Sequence, residues 1–452
     1  MMKASRLSKD FALDVVRRAL RHGASAAEVM VGEGSEFEVA VRLGQVENVK
    51  QSSSAALGIR VFVGSQQAAV ATSDLDERSM EKLIEDVVEL ARWTSADEAA
   101  GLPEPDELAS DLPDLSIYDA EIERLSTERK IDLALAAEAA ALAFDPRLVN
   151  SDRSGLGTVA GRMILANSLG FVGEYQSTSC SLGISPVARE NGQMQRGYWF
   201  DAKRTWADLE AVEAIGRRAA ERTIRKLGAR KGPTGKFPIV FDPLVASEFL
   251  GDLVEAVAGT SIYHRASFLA DQLGTQIAPE WLTVVDDGRM PKGMGSQPFD
   301  DEGAPTRRTI VIENGVLRNY LLNTYTARKL NLKTTGNASR ALAGLPFESP
   351  TNLFIEPGPF SPQEIIGSVR SGLYVTETIG FGVNIVNGDY SRGASGLWIE
   401  NGQLAYPVEE VTIAGNLKDM LRGIEMIGGD LEFRGSVAAP TLKISSMTIS
   451  GE

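Results

Sequence analysis

Leu57-Gly58-Ile59-Arg60-Val61-Phe62-Val63 decides how the chain is read. Its β-branched and aromatic residues, closed by Gly64, fit a strand entering a tight turn. Working outward, residues 27–71 continue in short runs rich in valine, broken at Gly32 to Gly34, Gly44, Gly58 and Gly64. This predicts an antiparallel meander. On its N-terminal side, residues 9–22 place Phe11, Ala12, Val15, Val16, Ala19 and Leu20 at helical spacing before Gly23. On its C-terminal side, residues 74–94 repeat that periodicity through Leu75, Met80, Leu83, Ile84, Val87, Val88 and Leu90.

Residues 95–119 break the pattern with eight acidic residues, no basic ones and three prolines. They read as an exposed domain connection, the first place a protease should cut. Residues 127–144 form an alanine-rich helical segment, and residues 147–206 read as long polar-alternating strands with turns at Gly155, Gly170 and Asn191-Gly192. A further helix over 207–227 ends at the punctuation of Gly232, Pro233 and Gly235, ahead of the strand 237–241. Beyond it, Asn314-Gly315 and Asn401-Gly402 each follow a strand and signal hairpins. The expected class is α+β and multidomain: an N-terminal α/β domain with an acidic linker (1–118), a middle domain (119–231) and a β-rich C-terminal domain with mainly antiparallel sheets (232–452).

At 452 residues, 43% hydrophobic and 24% charged, the chain has an ordinary globular composition. Its net charge of -15 opposes nonspecific nucleic acid binding. The densest basic cluster, Arg225, Lys226, Arg230 and Lys231, reads as a solvated helix end. Cys180 is the sole cysteine, so neither an intramolecular disulfide nor a multi-cysteine metal site can form, and a reducing cytoplasm fits. Residues 1–14 mix charges with isolated apolar residues, giving no expectation of a leader or anchor. No stretch approaches the roughly 20 apolar residues of a spanning helix.

His22 and His264 are far apart in sequence; the first fits a helix C-terminus and the second a surface or satisfied polar role. Gly-x-Ser-x-Gly is absent, because Gly396 directly follows Ser395 in Arg392-Gly393-Ala394-Ser395-Gly396. The glycine-rich stretch 288–303 carries Asp300, Asp301 and Glu302, which would repel phosphate, and reads as a mobile loop. Asp286 and Asp287 follow a strand and point to opposite faces, so they make no ready acid and base pair.

Two longer stretches change that picture. Gly388-Asp389-Tyr390-Ser391-Arg392-Gly393-Ala394-Ser395-Gly396-Leu397-Trp398-Ile399-Glu400-Asn401-Gly402 and Tyr406-Pro407-Val408-Glu409-Glu410-Val411-Thr412-Ile413-Ala414-Gly415-Asn416-Leu417 resemble the TldD/PmbA family, on its PmbA/TldE branch. Leu57-Gly58-Ile59-Arg60-Val61, Thr283-Val284-Val285-Asp286-Asp287-Gly288 and Ala439-Pro440-Thr441-Leu442 support it. The resemblance covers nearly the whole chain. It implies three domains and a cytoplasmic metallopeptidase system acting on unfolded peptides or peptide precursors, once described as modulating DNA gyrase.

The family's zinc-bearing chains carry His-Glu-x-x-x-His and a C-terminal cysteine. Aligned here, that motif falls on Val254-Glu255-Ala256-Val257-Ala258-Gly259. Glu255 is retained, Val254 and Gly259 stand at the histidine positions, and no cysteine follows Cys180. The resemblance therefore implies a chain without zinc or other cofactor, supporting a TldD-like zinc-bearing partner, with no nucleic acid or membrane contact. The alternatives are a homodimeric peptidase with an unconventional site around Glu255, His264, Asp286 and Asp287, and a noncatalytic gyrase-modulating protein. Peptide is expected along a strand edge within residues 382–415.

Overall fold

The structure, a computed structural model, describes residues 7–451. Residues 1–6, part of the stretch read for a leader, lie outside the described residues.

Ser8 caps α1 (Lys9–Arg21), accepting the Phe11 N–H, and the helix buries Ala12, Val15, Val16 and Ala19. Three strands follow, β1 (Ala26–Arg42), β2 (Gln45–Val63) and β3 (Gln66–Thr72), then α2 (Glu77–Trp93), capped by Asp76. The meander has fewer breaks than its glycines suggested. Turns fall at Gly44 and Gly64, both at positive φ, whereas Gly32, Gly34 and Gly58 lie inside long strands. Gly58 has a packing reason: a Cβ there would stand 2.0 Å from the Leu342 carbonyl oxygen of the C-terminal domain.

The middle region adds α3 (Ala120–Arg124), α4 (Thr127–Leu142), β4 (Leu148–Asn167), β5 (Val172–Glu190), β6 (Gln193–Arg196), β7 (Trp199–Lys203) and α5 (Val212–Ile224). Gly155 lies within β4 and makes no turn, while Asn191-Gly192 turns as expected. These strands join the N-terminal ones in a single seven-stranded sheet, ordered β3-β2-β1-β4-β5-β6 with β7 also on β5. The joint is the antiparallel β1–β4 pairing, which runs from Glu28 opposite Asn167 to Val41 opposite Ser154. One face of β1 serves two cores. Val29 and Val31 pack with α1 and α2, and Phe37, Val39 and Val41 pack with α4 and α5.

The segment expected to be an exposed connection is instead strapped to the C-terminal domain. Arg328 donates to the carbonyls of Ala99 and Leu102 and pairs with Glu104, while Asp97 meets Lys329 and Tyr325. Leu102, Leu115 and Ile117 are buried. The acidic run thus finds its cations on another element, which its own composition could not reveal.

The C-terminal domain is β-rich. It opens with β8 (Gly235–Phe241), α6 (Pro243–Val257) and α7 (Gly259–Tyr263), then β9 (Val284–Asp287), β10 (Arg308–Glu313), β11 (Val316–Leu317) and α8 (Thr324–Leu330). Next come β12 (Ala338–Ser339), β13 (Phe347–Glu348), β14 (Leu353–Ile355), α9 (Pro362–Gly367), β15 (Ser371–Ile379) and β16 (Val383–Asn384). The chain finishes with β17 (Asp389–Glu400), β18 (Gln403–Asn416), α10 (Leu417–Arg422), β19 (Ile424–Ile427), β20 (Val437–Ala438) and β21 (Leu442–Ser450). Besides the short β12-β13 pair, one of its two larger sheets runs β11-β10-β9-β14-β20. The other runs β15-β8-β21-β18-β17, and β15 also pairs β17, so those five strands close on themselves. Closure removes most of the edge expected within 382–415, since β17 is paired on both sides. The long open edge lies elsewhere: β3 pairs β2 only from Leu57 onward, leaving Gln45 to Ala56 without a second neighbour. Among the described residues no helix is long and apolar enough to cross a membrane.

One buried ionic cluster ties the N-terminal sheet to the C-terminal domain. Arg60 of β2 pairs with Glu28 (2.7 Å) and with Glu302 (3.1 Å), and Arg340 approaches Glu28 (3.2 Å). Asp300, in the same stretch as Glu302, accepts backbone N–H groups of Glu302, Ala304 and Ala338. The acidic residues of 288–303 are therefore not a loose phosphate-repelling loop. Asp300 and Glu302 are both buried: Asp300 orders its own turn by accepting backbone N–H groups, and Glu302 reaches across the domain boundary to Arg60.

Candidate functional site

α6 is positioned by its own sequence. Asp242 caps it, Pro243 starts it, and Val245, Ala246, Phe249, Leu250, Leu253 and Val257 bury one stripe in the main core. The other side carries Glu248, Asp252 and Glu255 at helical spacing. Arg392 of β17 bonds Asp252 at 2.7 Å and approaches Glu248 at 3.7 Å; Glu248 also accepts from Thr378. Burial pushes the Asp252 carboxyl up to about 6, against the pull of Arg392, and Glu248 adds to the rise. Glu255, the retained motif residue, is exposed.

The two positions aligned with zinc-binding histidines do not share a helix. α6 ends at Val257, Ala258 is extended, and Gly259 begins α7. Val254 packs against the main core. Gly259 is buried, and a Cβ added to it would stand 2.4 Å from Thr326 Oγ1 and 2.7 Å from Leu322 Cδ2. Thr326 is held in turn by Glu348 (2.5 Å) and Asn323 (2.9 Å). Apolar and absent side chains supply no donor, so this set does not fit zinc. No group of three or more His, Cys, Asp or Glu residues is placed to hold a metal among the described residues.

The other sequence candidates sit apart, each with its own partners. His264 is exposed at the end of α7, its ring 4.9 Å from that of Tyr263. His22 ends α1 and bonds Glu81 at 2.6 Å. Asp286 is buried on β9, accepting from Asn337 Nδ2 and the Thr351 N–H, each at 2.7 Å, and burial pushes it up to about 6. Asp287 turns the other way and accepts the Arg289 N–H. Cys180 is buried and pushed up to about 12, which leaves it a poor nucleophile.

What sequence reasoning missed is a groove of about 620 Å³ on the helix-free face of the seven-stranded sheet. Its floor is built from cross-strand rows: Lys50, Glu38, Gly157 and Ser181 in one, Glu36, Val159 and Ser179 in the next. Gly155 and Gly183 continue it towards Phe200. Small residues keep the floor low, and Glu38, paired with Arg153, gives it polar character. The signal available in sequence was the recurrence of Gly and Ser within strands that otherwise alternate. The groove lies beside the unpaired Gln45 to Ala56 edge, so a chain placed there finds both backbone partners and a shallow trough.

Comparison with known proteins gives a consistent picture. Family models described as PmbA/TldA metallopeptidase domain 1, central domain and C-terminal domain match residues 27–91, 120–227 and 234–451. The chain is 39% identical over 433 residues to the metalloprotease PmbA of Escherichia coli O157:H7, covering 94% of this chain and 92% of that protein. It is 35% identical to a PmbA homologue of Haemophilus influenzae, covering 99% and 96%. A crystal structure from Bacteroides thetaiotaomicron, of a protein named for modulation of DNA gyrase, superposes with a TM-score of 0.91 at 30% identity, covering both chains completely.

Proposed function

Because this chain belongs to the PmbA/TldD metallopeptidase family, we propose that it is the PmbA/TldE-like, metal-free subunit of a cytoplasmic peptidase complex. A TldD-like partner supplies the zinc, and this chain helps to enclose and present unfolded peptides or peptide precursors. The observation that carries the reading is at Gly259: the position aligned with a zinc ligand has neither a donor nor room for one, since Thr326 and Leu322 fill the space. A chain that keeps the three family domains while losing the ligand positions retains the means of shaping a substrate channel. Extended peptide would lie along Gln45 to Ala56 and the adjoining groove, bound through its backbone and hence with little sequence preference.

The test is reconstitution. The purified chain should contain no stoichiometric zinc and leave unfolded peptide intact, and mixing it with a TldD-like partner should give chelator-sensitive cleavage. Activity of the unmixed chain that survives removal of contaminating peptidases and disappears in Glu255→Gln would overturn the proposal.

A further inference from the structure

Arg218 and Arg222 stand one turn apart on α5 and Arg225 follows at its C-cap, a row of like charges in which the Arg218–Arg222 pair costs helix stability unless something compensates it. Compensation within the chain is incomplete. Arg222 meets Asp242 at 2.9 Å, and Arg218 reaches Glu210 only at 3.7 Å. The Arg225 guanidinium has no hydrogen-bond or ion-pair partner among the described residues, although it lines a cleft of about 260 Å³ between α5 and the C-terminal domain.

A fourth arginine enters that cleft from the far side. Arg434, on the segment between β19 and β20, lies 4.2 Å over the Trp199 ring, whose surroundings also include Arg218 and Arg222 at about 5 Å. Its Nε is buried without an acceptor. The carboxylates of the cleft are mostly engaged: Asp242 by Arg222, Tyr374 and the Leu244 N–H, Asp430 by Thr441, and Glu432 by Arg434. Glu221 is exposed. The Arg434 Nε therefore keeps a buried N–H donor with nothing to receive it, which is costly, and the half-buried Arg225 guanidinium has no protein acceptor.

On the other side of Arg434 lies a second cleft of about 270 Å³, lined by Tyr198, Phe200, Leu244 and Val437. Tyr198 and Phe200 also line the sheet groove, so the apolar cleft continues from the groove. The sequence runs from a backbone-binding edge, through an aromatic pocket, to unsatisfied arginines.

We propose that these two clefts form a subsite for the C-terminal residue of a peptide, its α-carboxylate held by Arg225 and Arg434 and its apolar side chain against Tyr198 and Phe200. The proposal rests on the peptide-presenting reading above and adds to it an end-specific anchor. Carboxylate recognition by paired guanidinium groups is strong and geometrically selective.

Fluorescence anisotropy of the purified chain with an N-terminally labelled hexapeptide ending in leucine tests it. The free acid should bind at least tenfold more tightly than the C-terminal amide, and inorganic phosphate should compete with the acid. Arg225→Gln should abolish the acid-to-amide difference at unchanged melting temperature, because Arg225 holds no partner in the free chain. Acid and amide binding within twofold of each other would overturn the carboxylate anchor and leave peptide presentation standing. Full discrimination by Arg225→Gln would overturn the assignment to this cleft, and failure of both peptides to bind would overturn the anchor together with the presenting role.

Discussion

Thr326 Oγ1 stands where any side chain at Gly259 would have to begin, 2.4 Å from the position of its Cβ. Thr326 cannot give way freely, since Glu348 and Asn323 both hold its hydroxyl. Gly259→Ala should therefore destabilise the chain by about 1–3 kcal/mol through overpacking, and Gly259→His by more. Chemical denaturation measures this. Wild-type stability in Gly259→Ala would show that the α7–α8 contact yields more easily than its packing indicates.

Arg60 is the cation that Glu28 and Glu302 share inside the domain contact. Arg60→Met should cost about 3–5 kcal/mol, because it strands buried carboxylates rather than because the intact pairs are strongly favourable. Adding Glu28→Gln to that variant should recover part of the loss. A denaturation midpoint unchanged in Arg60→Met would contradict the burial of the cluster.

Arg328 ties down the acidic strap through the carbonyls of Ala99 and Leu102 and through Glu104. Limited proteolysis should leave residues 95–119 intact in the wild type while Arg328→Ala is cut there several times faster, since lost anchoring raises the population of open backbone. Mass spectrometry of the first fragments checks it. Equal cleavage rates in the two proteins would show that the strap is held by something other than Arg328.

Asp286 titrates at about 6 in the folded chain, above the roughly 3.9 of an unfolded aspartate. The folded state binds that proton more tightly, so this group's contribution is fully present below pH 4 and is lost as pH rises to about 6. Asp286→Asn lacks that titration. The stability advantage of the wild type over this variant should shrink by about 2–3 kcal/mol between pH 4 and pH 7. A difference constant across that range would place the Asp286 pKa near its ordinary value.

Local signals proved readable where the cause was local. Asn314-Gly315 and Asn401-Gly402 form their hairpin turns with both residues at positive φ, and Asp286 and Asp287 diverge as strand neighbours must. Readings failed where the cause lay far along the chain. Gly58 reads as a break in sequence because nothing near it announces the Leu342 backbone, and Gly155 reads as a turn although it lies flat in β4 on the groove floor. The acidic strap looked unsupported until α8 supplied its cations. The arginine cleft was harder still, since Trp199, Arg225 and Arg434 meet only after three separate elements pack.

The shared sheet also orders events during synthesis. β1 is complete once Arg42 has been made, but the strand that covers its second edge begins at Leu148 and must run to Asn167 before the pairing with Glu28 can close. At roughly 5–20 residues per second on the ribosome, that edge waits for several seconds or longer. During the interval the nascent N-terminal module exposes a valine-rich strand paired on one side only, by β2, its other edge a template for pairing with other chains. A ribosome that pauses anywhere between Arg42 and Asn167 prolongs that exposure, so the long separation of β1 from β4 in the chain sets how long the edge must be protected.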